Sequence, residues 1–491
     1  MVTGSSRQRM VVLCRHLCVL AAVVSLSCVA RAAIISIGTN FTGSSFSQSG
    51  FIPPDTMGAV GTGHIVEMLN GRYRVYDKSG NPLTAGTSLN GFWTAAGVTP
   101  SGSFAFDPRV VYDSYSGRFF AAAVDNGGGA NNFLVAVSNS SDPTLGWSGF
   151  KIDADANNDR WADFPMLGIN NDVVTISANM FPIGAGTATT GFLVLPKSDL
   201  LLGVPTVGNA TQFQDVNPNL TGFTPQPVVD LDNGGLSQAI LSSYNKPAGF
   251  LKTSSIGGTA LAPTLNTGSG FIAVTPGASP PDIDQPGPKV DIDTGDNRFS
   301  GNVIQQQIAG RVNPSLWGVH SVDVGGRAAI EWYEIDAVTN ALLQSGLISD
   351  PVLAFNFPSI SVNDAGVVVI GFSGGSPGTF ISTYAVAGRT VAGVTTFDPI
   401  LQTKAGVADY QRLDGIGRNR WGDYSATVLD PSDSNSFWTF QEFVSGTDTW
   451  SVQITQLTVN APSTVPEPGT FALLAMGGFV GLGIHHCRRQ K

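Results

Sequence analysis

The chain has 491 residues, 42% of them hydrophobic and only 13% charged, with 59 glycines and a formal net charge of −10. With 26 Lys and Arg against 36 Asp and Glu it lacks the basic field that a phosphate backbone requires, which argues against nucleic acid as a partner. Few charges and many glycines point to short strands and tight turns rather than to ion-paired surface helices.

At the N-terminus, Arg7, Arg9 and Arg15 precede an apolar stretch over 17–29, and Ala30-Arg31-Ala32 offers small residues at Ala30 and Ala32. This is the pattern of a secretory signal peptide over 1–32, cleaved by signal peptidase near Ala32. A lipoprotein at Cys28 or an uncleaved anchor are the alternatives. Three cysteines (Cys14, Cys18, Cys28) fall in this segment and the fourth, Cys487, in the tail, so the exported part has none. Its compartment permits disulfides, yet its stability must come from its core.

Residues 33–52, rich in Ser, Gly and Thr, read as a lead-in strand plus loop. From 53 onward a unit recurs: an acidic or Pro-containing opener, an apolar strand, an Asn/Asp/Gly turn and a second apolar strand. The first unit turns at Asn70-Gly71, a dipeptide that suits a hairpin whose two turn residues both need φ > 0. Its opener is Pro54-Asp55-Thr56. The following openers are Phe106-Asp107-Pro108, Asp163-Phe164-Pro165, Pro225-Gln226-Pro227, a weaker copy from Leu316, Phe357-Pro358 and Asp423-Tyr424-Ser425. Strand pairs repeating at this loose spacing predict an all-β fold, a single β-propeller over 53–459 with six to eight blades, seven favoured. A β-sandwich pair or β-helix would also give many hairpins. The Pro/Gly/Asp-rich stretch 276–289 reads as a surface excursion.

Two segments share the pattern Arg-Trp-small-Asp-aromatic: Arg160, Trp161, Asp163 and Phe164 in one, and Arg420, Trp421, Asp423 and Tyr424 in the other. In one reading Asp163 and Asp423 face a ligand near the axis. In the other the Trp packs between blades while the Asp caps amides and pairs with the Arg, and repetition favours this architectural role. The second segment resembles motifs of sialidase-like extracellular propellers. That resemblance implies an arginine cluster, for which Arg109, Arg118, Arg160, Arg311 and Arg420 are available, with Glu331, Glu334 and Tyr424. The repeated Asp boxes and the Arg-Ile-Pro opener of such enzymes are absent here, and Glu331 and Glu334, three apart on a strand, point to opposite faces.

Oxygen ligands alternate at Asp153, Asp155, Asn157 and Asp159, and again around Asp291, Asp293 and Asp296, which makes calcium the candidate ion. Asn158 and Phe164 stand where an EF-hand loop needs Gly and Glu. An Asx-rich turn is the competing reading. His64 and His320 alone cannot build a His-cluster site.

After a polar linker over 460–464 come Val465, Pro466, Glu467 and Pro468, an apolar run over 470–484, and a basic end at Arg488, Arg489 and Lys491. The run is apolar on all sides and short for a membrane span, Pro468 suits a helix start, and the basic cluster would hold the C-terminus in the cytoplasm. This three-part tail, over 465–491, resembles the PEP-CTERM sorting signal. The resemblance implies an exported protein of a Gram-negative-type bacterium, held in the inner membrane and processed by an exosortase-type protease, then placed at the cell surface, outer membrane or matrix. The reading is a binding or structural protein associated with exopolysaccharide; the alternative is a glycan-active hydrolase or lyase on the same propeller.

Overall fold

The computed structural model describes residues 34–268 and 270–460, and Ile35–Val459 form one compact unit. The signal segment 1–32 with Ala30 and Ala32, the sorting residues Val465 to Pro468, the span 470–484 and the basic cluster lie outside the described residues. Among the described residues no helix is long and apolar enough to cross a membrane.

The unit is an all-β propeller. Most hairpins form as read: Ala105–Asp113 pairs with Arg118–Asp125, Arg160–Ile169 with Val173–Pro182, Ser315–Asp323 with Ala328–Asp336, Ala354–Val362 with Val367–Ser376, and Ala426–Leu429 with Ser436–Gly446. The lead-in strand Ile35–Ser45 pairs antiparallel with Thr449–Val459, so both ends of the unit share one sheet. That pairing ties the two ends of the ring together, with Ile35–Ser45 as the edge strand of the sheet.

The expected six to eight separate blades do not match the hydrogen bonding. Five sheets carry four or more strands each, and a sixth has three. One of the five has nine strands, because the short strand Val229–Asp230 pairs in parallel with both Ile169 and Ile304 and carries the ladder across. The fourth hairpin is thereby split: Gln226–Pro227 pairs with Ile240 and Leu241, while Val229–Asp230 turns away to its parallel neighbours.

Two local expectations are also corrected. At Asn70-Gly71 only Gly71 takes positive φ, 72°. The Asn70 side chain is instead engaged, donating to Asp55 Oδ2 at 2.6 Å and accepting from the Asp107 N–H at 2.8 Å. Stretch 276–289 is only in part a surface excursion: many of its residues are exposed, but Ile283 is fully buried and exchanges backbone hydrogen bonds of 2.9 and 2.8 Å with Ile292, buried just beyond it. One short helix, Leu89–Ala95, escaped the strand-based reading. Ser88 caps it through the Gly91 N–H, and it buries Leu89, Phe92 and Trp93.

Candidate functional site

The openers create the site. A proline cannot donate to a ladder, so within a strand it favours a bulge or an edge position. The register slips between Phe106 and Arg109 and between Asn356 and Ser359, at Asp107-Pro108 and Phe357-Pro358. Asp107, Phe164, Thr224 and Phe357, each just before a proline, take positive φ of 52°, 54°, 55° and 45°, and Asp55 takes 50°. Such bulges re-aim side chains, and backbone in this region is strained for a bulky or β-branched residue such as Phe or Thr. The strain is held by contacts from neighbouring openers and strands. Phe164 N–H donates to Asp107 Oδ2 at 3.0 Å, Thr224 N–H to Asn179 Oδ1 at 2.8 Å, and Ser425 Oγ to the Phe357 carbonyl at 2.8 Å.

At the centre of this ring of openers sits Arg109, fully buried. Its Nε donates to the Pro165 carbonyl at 2.9 Å and its Nη1 to the Ser300 carbonyl at 2.8 Å. The guanidinium lies 3.4 Å from the Tyr424 ring centroid, and Tyr424 in turn donates to the Pro108 carbonyl at 3.1 Å. Asp55, Asp107 and Asp423 gather around it, with Asp163 beside Asp107 and Asp423 and Glu442, which accepts from Thr56 at 2.5 Å, beside Asp423. Two further arginines complete the set. Arg298 grips Asp296 with two hydrogen bonds of 2.8 and 2.6 Å and covers the Phe164 ring; Arg420 holds Asp423 at 2.7 Å and faces Asp293 at 3.6 Å.

Burial and mutual repulsion push this cluster's protons on. Desolvation first, then the charges of Asp107 and Asp423, raise Asp163 to about 8, against a smaller lowering by Arg298. Desolvation raises Glu442 to about 8 and, with Asp423, Asp107 to about 6; Asp55 is raised well above the usual carboxylate range, again by burial first. The folded state therefore binds protons that the unfolded chain releases near pH 4. That stability is complete below about pH 4 and is lost as pH rises through 6 to 8. Groups lowered by partners, such as Asp296 and Glu331, act below that window. The melting temperature should fall between pH 5.5 and 8.5, and Glu442→Gln should shrink that fall; an equal fall in both proteins would remove Glu442 from the effect.

The two Arg-Trp motifs are brought together only in their second halves. Phe164 and Tyr424 meet edge-on at 5.6 Å, and Asp163 and Asp423 face the same centre. Their first halves diverge. Arg160 pairs with Asp215 at 2.7 Å, and Trp161 is half-buried beside Phe181; Trp421 is 1% exposed, edge-on to Tyr410 at 5.0 Å. The remaining arginines scatter: Arg118 binds the Ser138 carbonyl, and Arg311 pairs with Glu334 at 2.6 Å, while Glu331 pairs with Lys246 elsewhere. In the first calcium candidate, Asp155 Oδ2 accepts the Asp159 and Arg160 amides at 2.9 and 3.0 Å, and Asp153 Oδ1 accepts the Asp155 amide, as in an Asx turn. Asp159 lies out in solvent beside Arg160, and Asn157 is exposed. In the second, Asp293 faces Arg418 and Arg420, Asp296 is held by Arg298, and Asp291 lies exposed beside Asp284. Among the described residues no three His, Cys, Asp or Glu form a group suited to a metal.

Asp55, Asp107, Arg298 and Glu442 join the site from outside both Arg-Trp motifs. For the first two a signal existed: Asp55-Thr56 and Asp107-Pro108 occupy the same opener position as Phe164-Pro165 and Tyr424-Ser425.

Residues 464–489 match the PEP-CTERM protein-sorting motif. No curated protein matches the chain. Among solved structures it is similar to a protein of unknown function from Dyadobacter fermentans, at 10% identity over 87% of this chain and 100% of that one, TM-score 0.37. It is also similar to a Trypanosoma rangeli sialidase (11%, 79% and 56%, TM-score 0.33) and to an endo-arabinase from Bacteroides thetaiotaomicron (11%, 74% and 97%, TM-score 0.30). The fold and the tail together define a β-propeller that carries a PEP-CTERM sorting motif. The motif indicates export, processing by an exosortase and cell-surface sorting in Gram-negative bacteria.

Proposed function

We propose that this chain is a surface or matrix protein that binds and scaffolds exopolysaccharide, and that its propeller is a binding and structural element. Cleavage by signal peptidase near Ala32 and transient retention by the 470–484 span belong to this reading. The observation that carries it is the closure over the carboxyl cluster. Segments 276–302 and 405–424 pack onto the openers, with Ile283 and Ile292 in one apolar cluster with Phe164, Phe357, Trp421 and Tyr424. Gln285 and Tyr410 lock the two segments by a reciprocal pair of 2.8 Å hydrogen bonds. Beneath that roof Arg109 is held by carbonyls and an aromatic face rather than left to clamp a substrate carboxylate. A second reading, the glycan-active hydrolase, draws on Asp163, which holds its proton up to about 8 beside Asp423, as a general acid beside a carboxylate would.

Two fractions of one culture test the binding reading. The mature protein should co-sediment with the exopolysaccharide of the producing cells. Replacing Pro466, Glu467 and Pro468 by alanines should leave export intact but strand the chain in the inner membrane, away from that fraction. A wild-type chain that stays wholly out of the polysaccharide fraction would end this proposal.

A further inference from the structure

Beyond the carboxyl cluster, between Val60, Val111, Val229, Ile304 and Val428, lies a cavity of about 200 Å³. These five contribute apolar wall, and Ser114 and Ser434, both exposed, stand at its edge. Two buried polar groups line it without a hydrogen-bond partner among the described residues: Asn302 Oδ1, on a residue 7% exposed, and Ser361 Oγ, on one 1% exposed. A buried oxygen left unpaired carries the full desolvation cost of the group. Two such groups lining one cavity mark a site prepared for a ligand that supplies the missing partners.

The lining also limits the chemistry. Among the described residues it carries no cationic side chain, and its one carboxylate, Asp430, is taken by Lys78 at 2.6 Å and by Trp438 Nε1 at 3.0 Å. Gln306 is likewise held, donating to Asp232 at 2.7 Å. An anion would find no counter-charge, and a cation no free carboxylate. The volume suits one sugar ring. Apolar walls, with Asn302 and Ser361 open inside and the Ser114 and Ser434 side chains at the edge, favour a ring that turns a methyl group to the valines and its hydroxyls to these polar groups, over a hexose whose extra hydroxyl would face the apolar wall.

We infer that this axial cavity binds a neutral 6-deoxyhexose unit of a glycan, with Asn302 and Ser361 taking its hydroxyls and the valine wall its methyl group. The inference deepens the exopolysaccharide reading and rests on it for the source of the ligand, but not for the site.

The test titrates the full chain with L-fucose and with L-galactose, which differ only in the methyl group, by calorimetry or saturation-transfer NMR. L-Fucose should bind about tenfold or more tighter. Asn302→Leu should abolish that binding without lowering the melting temperature, since it removes an unpaired buried oxygen; Ser361→Ala should weaken binding with an unchanged melt. Equal binding of the two sugars, or undiminished L-fucose binding in both folded variants, overturns the inference. If Asn302→Leu does not fold, Ser361→Ala and the wild-type sugar pair decide. Co-sedimentation with exopolysaccharide, run in parallel, separates the two ideas. Matrix binding without L-fucose binding defeats the cavity assignment alone; L-fucose binding without matrix binding upholds the cavity and defeats the exopolysaccharide reading.

Discussion

Replacing Arg109 by methionine is expected to destabilise the propeller by about 3–5 kcal/mol, the range seen when one partner of a buried charge set is removed. The substitution keeps most of the apolar stem but withdraws the donors that reach the Pro165 and Ser300 carbonyls. It also removes the cation on the Tyr424 ring and leaves Asp55, Asp107 and Asp423 without their central positive charge. Arg109→Lys should fall between wild type and methionine, because a single ammonium cannot bond both carbonyls and stack on a ring at once. Urea unfolding of the secreted chain measures both. Arg109→Met with wild-type stability would mean that the acids at the axis are neutralised by protonation alone.

Trp421→Ala carries the second large effect. The indole is buried, stands edge-on to Tyr410, and belongs to the apolar cluster that holds the roof on the openers. Truncating a buried Trp costs about 3–5 kcal/mol through lost transfer energy and the cavity left behind. Asp423→Asn is expected to differ sharply. The Arg420 contact is partly exposed and is worth about 1 kcal/mol or less, and an amide oxygen still accepts from the guanidinium. Removing the Asp423 charge also relieves the repulsion that raises Asp55, Asp107 and Asp163. Urea midpoints of the two variants should therefore separate clearly. Equal losses would make Asp423 as structural as Trp421; a stable Trp421→Ala that loses polysaccharide binding would place the indole in a binding site.

How far the sequence reaches follows from the range of each signal. Hairpins were legible because their strands and turns are contiguous: Phe357-Pro358 through Gly366 carries opener, strand and turn within a few residues. The fused nine-stranded sheet was not, since nothing near Val229 announces a parallel partner at Ile169 on one side and Ile304 on the other. The anchoring of the roof is hidden from the sequence for a related reason. The roof has the composition of a surface loop, and two isolated isoleucines, Ile283 and Ile292, supply the burial without any periodicity. At the axis, the likeness of the two Arg-Trp motifs pointed to the right neighbourhood, but only Asp163-Phe164 and Asp423-Tyr424 meet there. Of the neutralising cations, Arg420 belongs to the second motif, while Arg109 and Arg298 belong to neither.

Chain cleavage tests most directly our proposal that the axial carboxyls belong to a closed frame and are not a catalytic pair. The purified full-length protein, wild type and with Asp163→Asn, is incubated with exopolysaccharide from the producing cells, and newly formed reducing or unsaturated ends are counted over time. No new ends are expected from either protein while both remain bound to the polymer. Steady release of ends by the wild type, abolished in a folded Asp163→Asn variant, would contradict it and establish the hydrolase.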